Sequence, residues 1–209
     1  MKSALGVAFA ISCTRAGADI ETDMIDIERS GLAGALLIRP KRHGDTRGWF
    51  METYKESAFA PHLNGARFVQ DNAACSAEAG TVRGLHWQVP PHAQGKLVRC
   101  VRGRILDAIV DLRRTSSTFG RHQTFILSED DTAQLFVPAG FAHGYATLTA
   151  NCEVHYKVTA EYHPASERGL RFDDPALGID WQLGGLSAQV NARDQAWPVF
   201  SALSPGDLF

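Results

Sequence analysis

The sequence predicts an all-β domain, a sandwich or barrel built from short strands. Three observations carry that expectation. From residue 97 onward, apolar and β-branched runs recur at 97–101, 104–112, 121–127, 133–137, 144–148 and 152–158. Turn signals separate them at intervals of about ten residues, the rhythm of β-sandwiches and barrels. No heptads, internal repeats or low-complexity tracts compete with this reading.

The 209 residues suffice for one sizeable domain, or one domain with an arm. We expect an N-terminal extension of uncertain role at 1–30, the β-domain at 31–183, and a C-terminal arm at 184–209 packing on it. The first half of the domain reads as a strand at 32–38 stopped by Arg39-Pro40, a polar turn at 41–48, a strand at 49–54 and a short helix at 56–63 before Asn64-Gly65. The tail beyond Trp181 has weak periodicity, with Trp197 and Pro198 as its anchors.

A net charge of −2 lacks the basic surplus that non-specific nucleic-acid binding requires. Cys13, Cys75, Cys100 and Cys152 form no CxxC pair. That pattern suits a reducing cytoplasm rather than a zinc knuckle or a disulfide scaffold. The first thirteen residues carry one positive charge and a short apolar run. They read either as a weak leader or as an arm, and the run is too short to span a membrane. No membrane partner is expected.

The chemistry concentrates in Gly80-Thr-Val-Arg-Gly-Leu-His86-Trp-Gln88 and Gln94-Gly-Lys96-Leu-Val-Arg-Cys-Val-Arg-Gly103. Val82, Leu85, Leu97, Val98, Val101 and Ile105 supply strand-like apolar positions, and Gly80, Gly84 and Gly103 mark turns or close backbone approach. His86 sits between Arg83 and Lys96. Histidine is the natural general base near neutral pH. A lysine can steady an enolate oxygen in a dry pocket, and arginine suits phosphate oxygens. With His143 these residues point to proton abstraction beside a carbonyl in a phosphorylated substrate. Each also has a plainer reading. His86 could be a satisfied core histidine, Lys96 a solvated charge, His143 a turn closure and Tyr156 a packing residue. Asp174 before Pro175 could be a turn former, and Arg47 a surface partner of Asp45.

Two motifs frame this stretch: Gly80, five residues, His86-Trp-Gln88, then Lys96, six residues, Gly103; and Pro138-Ala-Gly140-Phe-Ala-His143. They resemble the paired signatures of the cupin jelly rolls, which implies a cupin-type jelly-roll β-barrel or sandwich with short flanking helices. In metal-binding cupins the slots of Gln88 and Lys96 hold ligands. An ammonium cannot coordinate a cation, so neither a metal nor another cofactor is expected.

More specifically, an ordered set of blocks covering about residues 31–195 resembles the dTDP-4-dehydrorhamnose 3,5-epimerase family. The blocks are Asp45-Thr-Arg47-Gly-Trp-Phe50-Met-Glu52, Phe68-Val-Gln70-Asp71-Asn72, Val82-Arg83-Gly-Leu-His86-Trp-Gln88 and Gln94-Gly-Lys96. Further along come Val137-Pro-Ala-Gly-Phe-Ala-His143, Tyr156-Lys157 and Glu167-Arg-Gly-Leu-Arg-Phe-Asp-Asp174-Pro. The resemblance implies epimerisation at C3 and C5 of a dTDP-4-keto-6-deoxyhexose, with His86 as base, Asp174 as the carboxylate orienting it, Lys96 steadying the enolate and Tyr156 as the opposing acid. It implies substrate contacts from Arg47, Phe50, Glu52, Gln70, Asp71, Asn72, Arg83, His143, Glu167 and Arg193. It also implies a homodimer in which an N-terminal strand helps cover the partner's site. A monoepimerase acting at C3 or C5, a ketoisomerase of the same fold, and a non-catalytic sugar-nucleotide-binding cupin are the alternative readings. Trp87, where the family usually has tyrosine, removes none of the implied catalytic groups.

Overall fold

The computed structural model describes residues 24–209; the choice between leader and arm falls largely on residues 1–23, outside that range. In chain order the strands are β1 (Ile25–Arg29), β2 (Leu36–Pro40), β3 (Arg42–Asp45), β4 (Gly48–Met51), β5 (Gln70–Ser76), β6 (Val82–Gln88), β7 (Lys96–Arg102), β8 (Arg104–Asp111), β9 (His122–Ser128), β10 (Gln134–Val137), β11 (Phe141–Thr147), β12 (Cys152–Val158) and β13 (Glu167–Gly169). Two one-turn helices, α1 (Glu56–Phe59) and α2 (Ala192–Gln195), flank them.

The strands form two facing antiparallel sheets. One runs β1-β2-β10-β7-β12-β5 and the other β13-β6-β11-β8-β9. Each keeps free edges, so the fold is an open sandwich and not a closed barrel. Among the described residues, β3 and β4 pair only with each other.

Three apolar layers hold the sandwich. Between the sheets lie Val98, Ile105, Ile109, Leu135, Phe141 and Val154. Outside the five-stranded sheet, Val82, Leu85, Trp87, Leu106 and Val110 pack under Trp181, Phe200, Leu203 and Phe209. Outside the six-stranded sheet, Leu36, Ile38, Leu97 and Phe136 pack under Phe59 and Leu63, from and just after α1. This double coverage explains why β8 reads as a continuous apolar run: it is buried on both faces.

Several boundaries move. β4 ends at Met51 and not at 54, and β11 begins at Phe141, three residues before the run expected at 144–148. The helix expected at 56–63 is α-helical only over Glu56–Phe59. Two further shifts lie at the start of the sheet. β1 lies within the segment expected as an extension, yet it pairs along β2, with Ile27 opposite Ile38, so the sheet begins at Ile25. The strand expected at 32–38 starts at Leu36 instead. Residues 32–35 form a turn in which Ala35 N donates to Leu32 O, and Gly34 has φ +94°.

One irregularity shapes the site. Along β6 and β11, His143 lies opposite His86 and Tyr145 opposite Arg83, so Gly84 and Leu85 on β6 together oppose Gly144 alone on β11. This bulge lets Arg83 and His86 face the same way although they are three apart. It demands glycine at two positions. A Cβ on Gly84 would lie 2.7 Å from His143 O, and one on Gly144 would lie 2.7 Å from Arg83 O.

Candidate active site

A cavity of about 310 Å³ opens between the sheets, a size that suits a small-molecule site. From the five-stranded sheet β6 contributes Arg83, His86 and Gln88, and β11 contributes His143 and Tyr145. From the opposite sheet come Lys96 on β7 and Tyr156 on β12. Glu167 on β13 lines the mouth with Tyr162 and Arg193. Tyr162 Oη and an Arg193 guanidinium nitrogen each donate to Glu167 Oε2 at 2.9 Å.

The partner of His86 corrects the expectation drawn from the sequence. His86 Nε2 lies 2.7 Å from Asp194 Oδ1, while Gly84 N donates to Asp194 Oδ2 at 3.1 Å. Asp174 does not reach His86. Its Oδ1 accepts from Ala176 N at 2.9 Å and its Oδ2 from Phe200 N at 2.6 Å, so this buried carboxylate fastens a turn to the C-terminal tail. Asp194 is held by the first turn of α2, where its own N–H donates to the Asn191 cap at 2.8 Å. Burial alone would raise the Asp194 carboxyl, but the hydrogen bond from His86, its charge and the Gly84 N–H outweigh it and hold the group below the usual range. An ionised carboxylate can only accept, so in the neutral ring Nε2 carries the proton and Nδ1 keeps the basic lone pair.

His143 forms a second such pair, its Nε2 lying 3.0 Å from Asp107 Oδ2. Lys96 is buried on the cavity wall. Burial pushes its ammonium down to about 8, against the pull of Asp107 and Glu167. Its Nζ makes no hydrogen bond or ion pair with any described residue, leaving it available to an oxyanion. Tyr156 is raised by burial, against the pull of Arg83, and so stays protonated. Arg83 is braced on β5, donating to Ser76 Oγ and Cys75 O, both at 3.1 Å.

Other expected contacts lie elsewhere. Arg47, Phe50 and Glu52 belong to the β3–β4 hairpin and its exit; Arg47 pairs with Asp45, and Phe50 is 66% exposed. Gln70 and Asn72 stand at the cavity's margin, where Gln70 Nε2 donates to Asn72 Oδ1 at 2.8 Å and Gln70 Oε1 accepts from Tyr162 N at 3.1 Å. Asp71 pairs with Lys157 at 2.8 Å on the sheet's outer face. Gln88 joins no ligand cluster; it ties the loops of His92, Glu161 and His163 together. Among the described residues no group of three or more His, Cys, Asp or Glu side chains could hold a metal ion.

Fold and site together define a cupin-type sandwich with acid–base groups on both walls of one cavity. The sequence profile of dTDP-4-dehydrorhamnose 3,5-epimerase matches residues 29–202, and the chain belongs to that family. It is 49% identical to a dTDP-4-dehydrorhamnose 3,5-epimerase of Sinorhizobium fredii over 161 residues, covering 77% of this chain and 83% of the relative. A solved structure of dTDP-6-deoxy-D-glucose-3,5-epimerase from Legionella pneumophila, in complex with dTDP-4-keto-L-rhamnose, superposes with TM-score 0.84 at 38% identity, over 88% of this chain and 97% of that one. A 3'-monoepimerase from Streptomyces bikiniensis, in complex with dTDP-quinovose, matches with TM-score 0.77 at 30% identity, over 82% and 86%.

Proposed function

We propose that this enzyme, an isomerase of the dTDP-rhamnose type of deoxysugar biosynthesis, epimerises C3 and C5 of a dTDP-4-keto-6-deoxyhexose with His86 as base and Tyr156 as acid. One observation carries the reading: His86 and Tyr156 enter a single cavity from opposite sheets. Inversion at carbon needs a base on one face and a proton donor on the other, so the two must be different residues. The C4 carbonyl acidifies the neighbouring C–H bonds. His86 Nδ1 takes the proton, Asp194 fixes the ring and balances its charge, and Lys96 meets the enolate oxygen. Tyr156 then returns a proton from the other side. Arg83 binds the diphosphate, with His143, Glu167 and Arg193 completing the substrate contacts.

We propose further that two copies pair, so that the β3–β4 hairpin carries Arg47, Phe50 and Glu52 toward the partner's cavity, where Gln70 and Asn72, on the same face of β5 as the cavity-lining Ala74, flank the approach. Trp49 and Phe50 support this: they are 60% and 66% exposed on a hairpin whose strands pair with neither large sheet. A cytoplasmic site of action fits the substrate class and the unpaired Cys75, Cys100 and Cys152. Among the described residues no helix is long and apolar enough to cross a membrane.

Incubation with dTDP-4-keto-6-deoxyglucose in deuterated water is expected to place deuterium at both C3 and C5, read by mass spectrometry and NMR. Label at one carbon alone identifies a monoepimerase; no label at either overturns the assignment. With Tyr156→Phe, net inversion is expected to fall more than exchange.

The pH profile adds a second check. The Lys96 ammonium is needed for catalysis, so kcat/KM, which reports groups of the free enzyme, is expected to fall as pH rises through about 8, and Lys96→Met should remove that limb. Stability runs the other way. Folding lowers this pKa, so the penalty for burying the charge is complete below about 8 and fades as pH rises toward 10.5. An activity loss accompanied by unfolding in that window would argue against the assignment to Lys96.

A further inference from the structure

Besides the Lys96 ammonium, the inner wall of the cavity carries a buried hydroxyl that meets no described group in hydrogen-bond geometry. Tyr145 on β11 is 5% exposed, with its ring in the apolar layer between the sheets. Its Oη is buried and makes no hydrogen bond to any described residue. The neighbouring Ser76 hydroxyl accepts from Arg83 Nε at 3.1 Å. It also acts on the Tyr145 phenol as a hydrogen-bonding neighbour, a small influence beside burial, and it makes no contact of hydrogen-bond geometry with Oη. A buried hydroxyl left in this state costs desolvation free energy that phenylalanine would avoid. Packing therefore does not account for the oxygen, but the cavity does, because Tyr145 lines it.

The strand register says which part of a ligand the oxygen would meet. His143 lies opposite His86, whereas Tyr145, one step further along the same face, lies opposite Arg83. A sugar ring at His86 therefore leaves Tyr145 beside the groups on the Arg83 side. We infer that Tyr145 is a substrate-binding residue whose Oη donates a hydrogen bond to an oxygen of the nucleotide-sugar diphosphate, next to Arg83. This rests on the functional reading above. Burial pushes the phenol up to about 12, so it remains a donor throughout the range in which the enzyme would act. A phenol suits the place, since it donates to a phosphate oxygen without adding a second buried cation.

The test compares the whole chain with Tyr145→Phe, using dTDP in titration calorimetry, steady-state kinetics on the keto-sugar nucleotide, and thermal unfolding. One ordinary hydrogen bond lost corresponds to a Kd for dTDP about three- to tenfold higher, with KM rising in parallel. The bond is made equally in ground and transition states, so kcat should not change. The melting temperature should stay level or rise, because a costly buried hydroxyl has gone. A lower melting temperature with unchanged dTDP affinity would mean that the hydroxyl is bonded within the protein, which overturns the proposal. A raised KM with unchanged dTDP affinity overturns the diphosphate assignment as well. Wild-type protein that fails to bind dTDP at all would sink the functional reading itself, a result distinct from either.

Discussion

His86→Asn is expected to slow deuterium exchange at both C3 and C5 by about 10²- to 10⁴-fold, the usual contribution of a positioned general base. Affinity for dTDP should stay within about twofold of wild type, because Arg83 and the other polar groups that hold the nucleotide are untouched. A second variant, His86→Gln, is the control and should lose as much. Its longer amide reaches the Nε2 position and can still donate to Asp194 Oδ1, so a carboxylate buried to 1% side-chain exposure keeps a partner. A loss of rate can then be assigned to chemistry and not to a loosened α2. The competing base is His143, which faces His86 across the β6–β11 pairing and has its own carboxylate in Asp107. If His86→Asn retains exchange within tenfold of wild type while His143→Asn abolishes it, the base has been misplaced. Should each variant silence one carbon only, the two histidines divide the work, and the single-base mechanism fails. The bulge around Gly84 and Gly144 makes the expected result specific, since it turns His86 toward Lys96 and Tyr156.

The strand pattern made the fold legible because it is repeated and local. β12 occupies the range expected from its alternation, and β7 to β10 differ from expectation by one residue at most at either end. The cupin-like slots brought His86, Lys96 and His143 to one cavity because all three lie on paired strands, where register fixes direction. Legibility ended where local signals end. Asp194 sits on a one-turn helix too short to show periodicity. Its one local mark, Asn191 three residues earlier, is an ordinary cap-and-turn pattern whose reach to Gly84 and His86 depends on how the whole tail folds back. Asp174 attracted the role because it stands in a recognisable block beside Pro175, yet Asp-Pro is also a turn signal, and the turn is what it serves. Tyr145 left no trace in the sequence. On an apolar strand a tyrosine reads as packing until its hydroxyl is found without a partner.

The two aspartates are therefore expected to separate activity from stability in a crossed pattern. In Asp194→Asn the amide oxygen can keep the Gly84 N–H, which turns the amide NH₂ toward His86 Nε2. That nitrogen must then accept, so the ring's proton moves to Nδ1 and the lone pair needed for catalysis is lost. A forced tautomer of this kind costs about 10⁴-fold in the best-studied His–Asp systems, and a fall in kcat of about 10³-fold or more is expected here. The melting temperature should change only slightly, because the backbone contact survives. Asp174→Asn should do the reverse. Asp174 accepts from Ala176 N and Phe200 N with separate oxygens, and an asparagine has one oxygen to offer. One buried N–H loses its partner, at a cost of about 1–3 kcal/mol. The tail carrying Phe200 and Leu203 loosens from the outer face of the sheet, while kcat per folded molecule stays near wild type. Measuring kcat and thermal unfolding on both variants decides between the assignments. Were Asp174→Asn to cost the larger factor in kcat with its fold intact, Asp194 would be only a helix-positioning contact, and the dyad seen here would not be the one that reacts.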